Sequence, residues 1–129
     1  MRPASLAARA RLRACALSLA PLSALAAFAC NTERKAECDQ FLAAMKPLGE
    51  SVPTTDAIQR VQTAVAAIHF QDAPLSVYAK NYTATLTVLS KTLELKASAA
   101  PPDGTDAVIK TNLKDALTDA ADTARYCAQ

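Results

Sequence analysis

Beyond residue 30, prolines cut the chain into stretches, and that punctuation limits its fold more than any other feature. The segment "KPLGESVPTT" from Lys46, "QDAP" before Leu75 and "SAAPPDG" after Ala97 each interrupt a helix, because proline lacks the amide donor and its ring crowds the preceding turn. Between these breaks, apolar residues return every three or four positions, the period of a helix with one buried face. Only two glycines are present, Gly49 and Gly104, and apolar and polar residues do not alternate as a half-buried strand requires.

Four helices follow from this pattern. The first is expected over about 32–46, with Thr32 as N-cap, Glu33 in the first turn and Cys38, Phe41, Leu42 and Met45 on one face. The second, about 54–69, carries Ile58, Val61, Val65 and Ile68. The third, about 75–97, follows a capping Asp72 with Pro74 tolerated in the first turn; its stripe is Leu75, Tyr78, Tyr82, Leu86, Leu89 and Leu93. The fourth, about 105–127, opens on a Thr105 cap and turns Val108, Ile109, Leu113, Ala116, Leu117, Ala120 and Ala124 inward. Amphipathic helices on short loops predict an all-α, up-down-up-down four-helix bundle.

The first 29 residues belong to a different class. Arg2, Arg9, Arg11 and Arg13 stand there without an acid, while the other ten basic residues and all twelve acidic ones follow, so the +2 net charge belongs to the N-terminal segment alone. The arginines precede "ACALSLAPLSALAAFA", 16 uncharged residues interrupted by Pro21, too short for a membrane span of about 20. A basic start, an apolar middle and small residues at the end make a secretory signal peptide over 1–29, leaving 30–129 as a small helical domain. The slightly acidic remainder, without tryptophan, carries no electropositive footprint and predicts no nucleic-acid partner.

The boundary itself, Ala27-Phe28-Ala29-Cys30, resembles that of bacterial lipoproteins, with small Ala29 just before the cut and Cys30 just after it. Ala27 and Phe28 stand where that family usually has Leu and a small residue. The resemblance covers residues 1–30 only. It implies that Cys30 becomes the mature first residue and carries the acyl chains, palmitate among them, that hold the protein on the bilayer. Ordinary signal peptidase would cut at the same bond, so a freely secreted or periplasmic product stays open. Asn31 in the sorting position points away from inner-membrane retention and toward the outer membrane of the cell envelope.

Cysteine arithmetic fits the lipoprotein reading. Cys15 leaves with the signal segment, and an acylated Cys30 leaves Cys38 and Cys127 as an even pair. An up-down-up-down bundle brings the start of its first helix beside the end of its fourth, so a Cys38–Cys127 disulfide is expected.

Chemistry-bearing constellations are scarce. His69 is the single histidine, there is no HExxH or CxxC spacing, and neither a metal nor another cofactor is expected. No nucleophile elbow supports a Ser-His-Asp triad. Asp119 and Asp122 share a helix face, but Arg125 lies in reach of Asp122, which makes a solvated rim the simpler reading. The Asn81-Tyr82-Thr83 sequon falls inside a helix and reads as chance. Tyr78 and Tyr82 belong to a core stripe, with their phenols expected at the bundle edge. The expected function is non-enzymatic: an anchored envelope lipoprotein that binds a protein partner or serves a structural role. The alternative is a secreted helical module binding a small apolar ligand between its helices.

Overall fold

The computed structural model describes residues 23–129, with side chains from Asn31 onward. Among the described residues are four helices: α1 (Ser23–Met45), α2 (Thr55–Ala66), α3 (Ala73–Lys96) and α4 (Thr105–Cys127). No strand occurs among the described residues. The all-α, up-down-up-down bundle is therefore the fold. Antiparallel pairing shows in the side-chain bonds between α3 and α4. Thr85 donates to Asp119 at 2.8 Å, and Asn112 donates to Thr92 at 3.2 Å, so one chain rises as the other falls. Helices α1 and α2 lie across that hairpin and against each other.

Several boundaries differ from the sequence expectation. Helix α1 does not begin at Thr32: its backbone is helical from Ser23, which puts Thr32 and Glu33 in the helix interior rather than at a cap. The reason lies in "SALAAFACN", rich in alanine and free of proline and glycine, so nothing there stops the helix. The signal segment lies outside the described residues as far as residue 22, and so do the side chains as far as Cys30.

Helix α2 starts as expected, with Thr54 accepting from the Ala57 amide at 3.1 Å, but it ends at Ala66 rather than near His69. Tertiary contacts take over there. Phe70 leaves the helical path and meets Phe41 edge-on, with ring centroids 5.4 Å apart, while the amides of Gln71 and Asp72 bond to Glu37. Asp72 caps α3 through the Leu75 amide at 3.0 Å, with proline in the first turn. Thr105 does not cap α4. The cap is Gly104, whose φ of 82° suits glycine, and the Thr105 hydroxyl turns back to the Pro102 carbonyl at 2.6 Å.

The core is built by Phe41 and Met45 of α1, Ile58, Val61 and Val65 of α2, Leu75, Tyr82, Leu86 and Leu89 of α3, and Ile109 and Ala116 of α4. Two expectations for α4 are corrected. Val108 is 49% exposed and Ala124 is exposed as well, because the fully buried line of α4 follows Ile109, Ala116 and Thr123 at seven-residue spacing and both residues lie beside it. Thr123 takes the place expected for Ala124, fully buried, and its hydroxyl is satisfied by the Asp119 carbonyl at 2.8 Å. Tyr82 is likewise not at an edge but 2% exposed, its ring edge-on to Phe41 at 6.1 Å.

Candidate functional site at the disulfide-bonded end

Where α4 ends, α1 and α3 come together around one covalent link. Cys38 and Cys127 form a disulfide with Cα atoms 5.7 Å apart, closing 89 residues of chain. Such a loop removes denatured-state entropy worth about 4 kcal/mol on the chain-entropy account. Cys38 is buried on the inner face of α1 and Cys127 belongs to the last turn of α4, so helix periodicity supplies both positions.

A polar clasp surrounds the link. Glu37, the residue before Cys38, is only 8% exposed. Its two carboxylate oxygens accept from the amides of Gln71 and Asp72 at 2.8 and 3.1 Å, satisfying donors just ahead of α3. Asp72 in turn caps α3 and accepts from the Tyr126 hydroxyl at 2.9 Å. Tyr126 lies beside Tyr78, and the Arg34 guanidinium stands over its ring at 5.6 Å. Burial, reinforced by the bond to Asp72, pushes the Tyr126 phenol above its ordinary pKa. Arg34 also donates to Asn31 at 3.1 Å. The clasp thus joins the start of the described α1 side chains to the start of α3 and the end of α4.

Above the disulfide lies an open cleft of about 450 Å³. Asn31, Arg34, Lys35 and Asp39 of α1 face Ala124 and Gln129 across it. Its polar rim is partly self-satisfied, since Lys35 pairs with Asp39 at 2.8 Å. A second recess of similar size, about 450 Å³ and mainly apolar, lies between α2 and α3.

The residues singled out for possible chemistry are dispersed. His69 is exposed past the end of α2. Asp119 accepts from Thr85, and Asp122 pairs with Arg125 at 2.8 Å, so the two aspartates serve different partners. Burial, with the Asp119 charge adding to it, raises the Tyr82 phenol to about 12. Among the described residues, no group of three or more His, Cys, Asp and Glu side chains could hold a metal ion. No helix among them is long and apolar enough to cross a membrane.

Sequence reasoning identifies Cys38, Cys127 and the Asp72 cap, and the structure brings all three to one end. It misses Glu37 and the bond from Tyr126 to Asp72. A glutamate on an amphipathic helix ordinarily faces water, and only its place beside the inward Cys38 hints otherwise. Comparison with protein-family models, curated proteins and solved structures finds no match to this chain.

Proposed function

We propose that the chain is a bacterial envelope lipoprotein, anchored by acylated Cys30, whose bundle serves a non-catalytic binding or structural role. The observation that carries this reading is the step at Cys30, where an uncharged run behind four arginines gives way to a charged domain with one remaining pair of cysteines. The oxidised Cys38–Cys127 pair supports an oxidising compartment such as the periplasm or cell surface. Helix α1 continues from residue 30 to Met45, so the disulfide stands two turns, about 12 Å, along the helix from the attachment point. An anchor there would transmit its load into the covalently closed end of the bundle. Several acyl chains on one cysteine would hold the domain on a bilayer, most simply the outer membrane, where a single chain binds only marginally.

The test is the intact mass of the protein isolated from its native host. Acyl mass on an N-terminal Cys30, together with loss of membrane association in Cys30→Ala, is the expected result. A mature chain starting at an unmodified Cys30 would sink the anchored form of the proposal.

A further inference from the structure

The recess between α2 and α3 arises from unequal helix lengths. Helix α2 has 12 residues and α3 has 24, so past Ala66 no helical turn covers the flank of α3 near Ala79 and Lys80. Small side chains, Ala79 and Ala84 among them, contribute to the lining and leave the space open, while Val65, Ile68 and Phe70 supply apolar bulk. Phe70 is held edge-on by the buried Phe41, and Gln62 of α2 donates to Thr87 of α3 at 2.9 Å, locking the two helices together. The Thr87 hydroxyl is itself engaged by the Thr83 carbonyl at 2.9 Å.

One lining residue is charged, Lys80, and it is exposed. Lys35, Arg60, Lys96 and Arg125 make the ion pairs among the described residues, so Lys80 pairs with no carboxylate there. The recess, about 450 Å³ and mainly apolar, is a shallow groove open to solvent, with one unneutralised cation at its rim.

We propose that this recess binds a single aliphatic chain bearing an anionic head, with the chain against Ile68, Phe70 and Ala84 and the head at Lys80. A fatty acid is the simplest member of that class. The proposal is independent of acylation at Cys30, because the recess lies wholly between α2 and α3.

Titration calorimetry of the disulfide-intact full chain with dodecanoate, kept below its micelle concentration, tests it. Saturable one-to-one binding is expected. Ala84→Phe, which fills the recess from an exposed position, should weaken it about tenfold through lost apolar contact. Lys80→Gln should weaken dodecanoate binding about threefold, as an exposed ion pair allows, and leave dodecanol binding unchanged. Circular dichroism melting verifies that both variants fold. Non-saturable uptake, unchanged affinity in folded Ala84→Phe, or equal affinity for dodecyltrimethylammonium and dodecanoate would each overturn the proposal.

Discussion

The two ends of the bundle are held by different physics. At one end Cys38–Cys127 closes the chain, Glu37 is nearly buried against two amides, Tyr126 reaches Asp72, and Phe41 meets both Phe70 and Tyr82. At the other, α3 and α4 run on toward the 97–104 loop, and α1 stops at Met45 well short of it. Beyond buried Ile109 and the Asn112–Thr92 hydrogen bond, the last turns there are joined by an exposed ion pair, Lys96 to Asp106 at 2.7 Å, while Leu95 and Val108 are about half exposed. Ion pairs in water contribute little, whereas disulfides and buried charge-assisted hydrogen bonds contribute several kcal/mol together. Stability is therefore concentrated where α1 joins the hairpin, and the loop end is the place for local opening.

Breaking the covalent link should have the largest effect. Reduction, or Cys38→Ser with Cys127→Ser, should lower unfolding free energy by about 4 kcal/mol in a denaturant titration. An unchanged midpoint would remove the main contrast between the ends.

Next comes the clasp. Glu37→Ala leaves the amides of Gln71 and Asp72 without their carboxylate and should destabilise by about 2 kcal/mol with the disulfide intact. A loss well below that would mean water replaces the carboxylate and the clasp adds little to the disulfide.

The core between the ends carries a pH signature. Tyr82 is raised from 10.0 to about 12 by burial, so the folded state keeps a proton that the unfolded chain releases. The stabilisation is complete below pH 10 and is lost as pH rises toward 12. Thermal melts across that window should fall more steeply for the native chain than for Tyr82→Phe. Parallel slopes would show that Tyr82 does not carry the effect.

The smallest change is expected at the loop end. Lys96→Gln removes an exposed pair and should leave the melting temperature unchanged within error. A clear drop would mean that the loop end is tied down more firmly than its exposure indicates.

The same contrast explains what the residues reveal in advance. Helix count, the stripe from Ile58 to Val65, the Asp72 cap and the Cys38–Cys127 pair all follow from local periodicity, capping chemistry and topology. Features set by long-range contact are not visible in that way. Helix α2 loses its last expected turn because Phe70, Gln71 and Asp72 are captured by Phe41 and Glu37, and nothing in "IHFQDA" announces this. Likewise Thr105 looks like a cap by type, yet the left-handed Gly104 starts the helix and frees Thr105 to bond Pro102. Thr123 replaces Ala124 in the core because its hydroxyl can be satisfied within its own helix. The recess at Lys80 is a consequence of α2 ending early, so it too depends on contacts far apart in sequence.

Site-resolved hydrogen exchange on the oxidised full chain tests the contrast most directly. Slowest exchange is expected in the interior turns of α3 and α4 beside α1 and α2, around Tyr82, Leu86 and Ala116. Amides near Lys96 and those of the first full turn of α4 should exchange orders of magnitude faster, by local opening that leaves the disulfide end closed. Equal protection at the two ends of the α3–α4 hairpin would contradict the account.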